Sequence, residues 1–392
     1  MPVVKTLHNI VVNTNKLAEV GFNSNISILV SEITSNILRD MPVLVADVAH
    51  GKTSEDVLTK AIIKDIDKNR YHLGLNRELL IKKIFDFMFG YGELQDYVDS
   101  PDVTDIDGTR FDQFSIKRNG QREKISVNFG SEKMFDMYCK LIAIRNLGIL
   151  NENDSQCRVT DDKKRLRINI SIKPRNVSGP AISIRKHRLI SYTLDNLIEL
   201  GMINNTMFKL FTAYDFNKKT VLFCGKGAAG KTTLLRAVVN SLPEMERVLI
   251  VESDAEIFPD KPYCIQQRVK KENEGGLKVT LRELVKDGLT MSLDTFCVGE
   301  IVSDEAWEFV KGSFTGHRGL ATIHAESAGD VMSRLLTLCK GANISESEQT
   351  VKSIMGKCID AIFYLSDFKV VEAIWVRGYN SEQDIFEYEN IV

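Results

Sequence analysis

Residues 225–232 read Gly-Lys-Gly-Ala-Ala-Gly-Lys-Thr, which fits the pattern G-x-x-x-x-G-K-[ST]. This feature restricts the fold tightly, because the pattern works only between a buried strand and the start of a helix. Both neighbours are present. Upstream, Thr220-Val221-Leu222-Phe223-Cys224 is a short apolar run suited to a buried parallel strand. Downstream, Leu234, Leu235, Val238, Val239 and Leu242 recur at helical spacing until Pro243 stops the helix. Glycines in such a loop let backbone N–H groups turn inward around an anionic phosphate. Gly225, Lys226, Gly227, Ala228, Ala229, Gly230, Lys231, Thr232 and Thr233 therefore form a candidate nucleotide cradle. Lys231 is placed to reach the β- and γ-phosphates, and Thr232 to hold Mg²⁺. The helix start adds its positive dipole end. A plain glycine turn is the alternative reading, and the strand–loop–helix context weighs against it.

The remaining chain divides by pattern, and its 392 residues suffice for two or three domains. Residues 1–88 read as a helical N-terminal region. Its clearest piece is Glu78-Leu79-Leu80-Ile81 with Ile84, Phe85 and Phe87, apolar at steps of three and four. Gly90-Tyr91-Gly92 breaks it. Residues 89–200 read as a small α+β domain. A strand from Phe114 meets an Asn119-Gly120 turn, residues 134–144 are helical, and residues 165–172 alternate strictly as a half-buried strand, followed by another at 181–185. Residues 205–392 alternate strand and helix. Strands are expected at 248–251, 296–298 and 320–323, with a closing pair at 361–365 and 370–376. Thr280 with Glu283, and Ser345 with Glu348, read as capping boxes. The fold class is α/β, with a mostly parallel sheet flanked by helices.

Composition narrows the function classes. Net charge is −2, so the chain lacks the basic footprint of a nucleic-acid binder, and nucleic acid is not expected as a partner. Seven scattered cysteines without a C-x-x-C pair argue against a zinc site or a disulfide framework and fit a reducing cytosol. The N-terminal apolar run is broken by polar residues and shows no cleavage signature. Residues 26–48 carry Glu32, Arg39, Asp40 and Asp47, too polar for a membrane span. A cytoplasmic protein, peripheral to the inner face of the cell membrane, is the expectation.

Hydrolysis needs acids beside the phosphate. Glu300 follows the apolar run at 296–298, which puts a carboxylate at the sheet's carboxyl edge, where ligands of open α/β sheets bind. From there it can orient an attacking water or hold Mg²⁺ through water. Glu252, Asp254 and Glu256 follow the strand at 248–251 as a second acidic cluster. His317 and His324 flank the strand at 319–323. Each reads equally as a γ-phosphate or intersubunit contact and as a satisfied near-core histidine.

Taken in order, these segments resemble the type II/type IV secretion ATPase family, especially its CpaF-like, tight-adherence pilus branch. The phosphate loop is one motif. Val251-Glu252-Ser253-Asp254-Ala255-Glu256-Ile257 is similar to the family's acidic "Asp box", and Phe296-Cys297-Val298-Gly299-Glu300-Ile301 to its Walker B strand. Thr315-Gly316-His317-Arg318-Gly319-Leu320-Ala321-Thr322-Ile323-His324-Ala325 is similar to its "His box". Upstream, Phe89-Gly90-Tyr91-Gly92-Glu93-Leu94 with Pro101-Asp102-Val103-Thr104-Asp105-Ile106, and Gly179-Pro180-Ala181-Ile182-Ser183-Ile184-Arg185-Lys186, resemble the entry and close of its N-terminal domain.

The resemblance implies a RecA-like P-loop ATPase domain behind the small α+β domain, with ATP and Mg²⁺ bound between them. It implies a homo-oligomer, a hexameric ring, working with an inner-membrane platform protein of a pilus or secretion machine. By matched position, Glu256 and Glu300 position the water and metal alongside Thr232. Arg167 and Arg185 neutralise the γ-phosphate, a task suited to arginine's permanent charge, and His324 joins the catalytic set. The expected activity is ATP hydrolysis powering pilus assembly, protein secretion or conjugative transfer. Departures stand at Ser253, Val302, Glu326 and Ala228, where the family usually shows an acid, arginine, asparagine and glycine. They keep open a nucleotide-gated structural subunit with little hydrolysis. A RecA-like nucleic-acid motor is the third reading.

Overall fold

The computed structural model describes residues 29–30, 32–49, 52–68, 77–187, 191–271, 274 and 277–391. The parts of the expected helical region at 1–28 and 69–76 lie outside the described residues. Two compact units divide at His187 and Arg188.

In the first unit residues 32–40 are helical, and helices α1 (Pro42–Ala49), α2 (Glu55–Lys68) and α3 (Arg77–Phe89) follow. Helix α2 buries Leu58, Ile62 and Ile66, one residue per turn, and α3 buries Leu80, Ile84, Phe87 and Met88. Six strands follow: β1 (Val103–Arg110), β2 (Gln113–Arg118), β3 (Gln121–Ile125), β4 (Gln156–Asp161), β5 (Leu166–Ser171) and β6 (Ala181–Lys186). They form an antiparallel sheet in the order β3-β2-β1-β6-β5-β4. Asn119 and Gly120 take φ +48° and +83°, the left-handed pair that a tight β2–β3 hairpin needs. Helix α4 (Glu132–Arg145) starts where the Ser131 hydroxyl accepts the Met134 N–H, and it lays Phe135, Tyr138, Cys139 and Ile142 into the core. Strand β5 alternates buried and half-buried residues along its whole length, as its sequence predicts.

The second unit carries a sheet of eight strands: β7 (Val221–Gly225), β8 (Val248–Glu252), β9 (Cys264–Arg268), β10 (Thr295–Ile301), β11 (Arg318–Ile323), β12 (Ala361–Ser366), β13 (Lys369–Asn380) and β14 (Ile385–Asn390). Its order is β14-β13-β12-β7-β11-β10-β8-β9. The strands from β12 to β9 run parallel, and β13 and β14 close the sheet antiparallel. Helices α5 (Lys231–Ser241), α6 (Leu281–Gly288), α7 (Glu305–Phe314), α8 (Val331–Lys340) and α9 (Glu348–Cys358) accompany it. Strand residues alternate between two apolar layers. Val221 and Phe223 share one layer with Leu234 and Val238 of α5, and Leu222 and Cys224 share the other with Phe309 and Leu335. Both faces of β7 are therefore covered, which is why it reads as an unbroken apolar run.

Two expectations need adjustment. The capping residue of α9 is Ser347, whose hydroxyl accepts the Thr350 N–H, rather than Ser345. Glu348 is the first helical residue there and pairs with Lys340 and Lys352. Strand β10 also runs past residue 298, so Gly299 and Glu300 lie within it. The Thr280–Glu283 box is present, with both reciprocal hydrogen bonds.

Candidate functional site

The loop begins where β7 ends. Gly225 and Gly230 have φ +149° and +97°, and neither has room for a side chain. A Cβ on Gly225 would stand 2.3 Å from the Leu365 carbonyl, and one on Gly230 2.5 Å from Met202 Cε. Between them Ala228 is also left-handed, at φ +62°. That conformation is the physical sense of its departure from glycine. Lys226, Gly227 and Ala228 are exposed and Ala229 is buried. Helix α5 has Gly230 as its cap, which offers its first-turn N–H groups no side-chain cap hydrogen bond. Thr232 and Thr233 occupy that first turn, half-buried.

Lys231 is folded into the loop. Its ammonium donates to the carbonyls of Gly225 and Lys226, both at 3.0 Å. Burial lowers its pKa, and the charges of Glu300 and Glu256 and the Cys224 thiol act in the opposite sense. A buried cation held chiefly by neutral carbonyls is a strong receptor for an anion.

The parallel register brings the other groups to it. Ile323 pairs with Cys224, so His324 emerges beside Gly225, and across the register shift in β10 its ring also reaches Glu300. His324 Nε2 lies 2.9 Å from Glu300 Oε1, and its Nδ1 lies 3.1 Å from Gly225 O and 3.4 Å from Lys231 Nζ. Two protonation states fit. A neutral ring with its proton on Nε2 donates to Glu300 and accepts from Lys231, whereas an imidazolium donates to both Glu300 and Gly225 O. In either state Glu300 is oriented by His324. His317 sits at the opposite end of β11, its ring 6.5 Å from that of Phe296.

The acidic cluster separates into three environments. Glu252 is buried and accepts from the N–H groups of Glu256 and Ile257 at 3.1 and 3.0 Å and from Gln266 Nε2 at 2.6 Å. Burial raises its pKa to about 7 against the pull of those donors. Asp254 is buried and paired with Lys271 at 2.7 Å. Glu256 is half-buried, and its charge is felt at Lys231. The inward turn of Glu252 is invisible in the sequence, where it reads as one more acid after a strand.

The departures have local consequences. Val302 is 47% exposed, and the buried Glu305 carboxylate accepts its N–H and that of Ser303. Exposed Glu326 stands 3.9 Å from Lys226 of the loop. Ser253 is exposed. In the first unit, Arg167 and Arg185 are directly paired across β5 and β6, and Arg185 also bonds Asp105 at 3.1 Å.

The donor set suits a magnesium nucleotide. Mg²⁺ prefers one or two carboxylates, a hydroxyl, water and phosphate oxygens, and Thr232, Glu256 and Glu300 offer such oxygens around the loop. Among the described residues no cluster of three His, Cys, Asp or Glu side chains makes an all-protein metal cage.

Residues 151–361, more than half of the chain, match the family model described as Type II/IV secretion system protein. A Mycobacterium tuberculosis protein (strain ATCC 25618 / H37Rv), provisionally named a conjugal transfer protein, is 32% identical over 175 residues, 44% of this chain and 50% of its own. Protein VirB11 of Agrobacterium fabrum is 28% identical over 165 residues, 41% of this chain and 48% of that protein. The chain thus spans about half the length of the curated relatives it matches. The ATPase DotB of Legionella pneumophila has the same fold at a TM-score of 0.53 and 16% identity, covering 73% of this chain and 80% of its own. The pilus retraction motor PilT with bound ADP does so at 0.52 and 14%, covering 76% and 81%. On the family match, the chain belongs to the type II/IV secretion system protein family.

Proposed function

We propose that the chain is a Mg²⁺-dependent ATPase, a ring-forming motor subunit that powers pilus assembly, protein secretion or conjugative transfer. The observation that carries this is the convergence of Lys231, His324 and Glu300 at the mouth of the 225–232 loop. The names of the relatives, a conjugal transfer protein and VirB11, and the family match support the setting. The C-x-x-C pairs of the family's pseudopilus-assembly branch are absent from this sequence, which supports the CpaF-like branch.

In this reading the loop N–H groups and Lys231 bind the phosphates of ATP. Lys231 exchanges the carbonyls of Gly225 and Lys226 for phosphate oxygens, a charge-assisted gain over neutral acceptors. Thr232, Glu256 and Glu300 would hold Mg²⁺, which when bound would supply neutralisation of phosphate charge. Glu300, held by His324, orients the attacking water. The motif match supports a counter-charge role for Arg167 and Arg185 at the γ-phosphate. A hexameric ring, an inner-membrane platform partner and a cytoplasmic, membrane-peripheral location follow from the same reading. Among the described residues, no helix is long and apolar enough to cross a membrane.

Steady-state phosphate release from MgATP tests this. Turnover by the full chain and background release by Lys231→Ala are expected. Wild-type release equal to that of Lys231→Ala, with ATP still bound, would favour a nucleotide-gated structural subunit, the reading motivated by Ser253, Val302 and Glu326.

A further inference from the structure

The turn between β12 and β13 carries an unusual residue beside the phosphate loop. Ser366 pairs with Lys369, so Asp367-Phe368 is a two-residue hairpin loop, with φ +48° and +62°. Such a turn favours Asn-Gly or Asp-Gly. Asp367 suits the first position, but a bulky side chain at positive φ in the second is strained. Strain of this kind persists only where the surroundings fix it, and it tends to gather at ligand sites.

The surroundings of Phe368 are the loop itself. Its ring lies so close to Gly230 that a Cβ there would stand 2.9 Å from Phe368 Cδ2. Tyr192 meets it edge-on, with centroids 6.4 Å apart and planes at 70°. The Val370 N–H donates to the Met202 carbonyl at 2.9 Å, anchoring the hairpin beside buried Met202. Both aromatic residues pack against the core of this unit yet are only half-buried, so part of the Phe368 ring stays accessible beside Gly230, the cap of α5. Phosphate binding has no use for such a surface, whereas a planar base stacks on it.

We propose that Phe368, supported by Tyr192, is the platform for the base of the bound nucleotide. It makes the site select nucleotides over bare polyphosphate. This rests on the reading of residues 225–232 as a nucleotide loop, and it adds a specificity residue outside that motif.

Calorimetric titration of the full chain with MgATP and with inorganic tripolyphosphate separates the two ideas. Phe368→Gly removes the ring and supplies the residue the turn favours, so the variant keeps its fold. ATP affinity should fall about tenfold in Phe368→Gly, within the range of one base stacked on one aromatic ring. Tripolyphosphate affinity should hold, and Phe368→Tyr should retain ATP binding. Unchanged ATP affinity in Phe368→Gly, or an equal loss for both ligands, would overturn the platform and leave the loop reading intact. A wild-type chain that binds neither ligand would overturn the loop reading and the platform with it.

Discussion

Glu252 shows what burial does to a single carboxyl at the edge of the candidate site. Three N–H donors face it, yet desolvation prevails and raises its pKa to about 7 from an ordinary 4.5. The fold therefore favours the protonated form. The stabilisation from this group is complete below about 4.5 and is lost as pH rises through 7. The Glu252→Gln variant has no such titration, and Gln266 can turn its amide to meet the new side chain. Denaturant unfolding from pH 5 to 8 should show wild type losing stability relative to Glu252→Gln, by on the order of 3 kcal/mol. Parallel curves would mean the carboxyl does not titrate in this range. At this scale the sequence is most legible where chemistry demands one residue type. Lys231 and Glu300 are readable from motif and strand alone. The inward turn of Glu252 is not, because an acid after a strand looks the same whether it faces water or the core.

Elements explain why Glu252 can lie where it does. Strands β8 and β10 are parallel neighbours, and Gly299 of β10 faces the Glu252 side chain. A Cβ at Gly299 would stand 2.7 Å from Glu252 Cγ, and the Glu252 carboxylate is pinned by two backbone N–H groups and so yields little. Gly299→Ala should cost about 1–3 kcal/mol, in the range of overpacking, read as a lowered unfolding midpoint in denaturant. A midpoint within error of wild type would show that the pocket relaxes freely. Strands β7, β8, β10 and β11 can be located from sequence because helices cover both sheet faces and leave apolar runs. Strand β1 is hidden because register shifts at Val103/Asp105 and Gly108/Arg110 break its alternation. Strands β9 and β14 are hidden because they are sheet edges with polar or exposed residues and little buried face. The α9 cap reads two residues early because Ser345 carries the S-x-x-E spacing to Glu348, whereas the helix starts after Ser347, three residues before Thr350.

Over the whole molecule, the two units divide the chemistry by type. Of the residues proposed for the site, the second unit carries the loop, its lysine and its acids, and the first carries Arg167 and Arg185 on adjacent strands. If their charge serves the γ-phosphate, Arg167→Ala and Arg185→Ala should each lower turnover by about a hundredfold or more while ATP affinity changes little. Arg185 also pairs with Asp105, so Asp105→Asn serves as a control that breaks the ion pair and keeps the arginine. Loss of affinity in step with turnover would assign both arginines to ground-state binding. Glu300, aimed by His324, is expected to drive hydrolysis at a loop that binds ATP without it. The most direct test is phosphate release and ATP binding measured together on wild type and Glu300→Gln. Unchanged ATP binding with turnover reduced to background is the predicted result; equal phosphate release by the two proteins would contradict it.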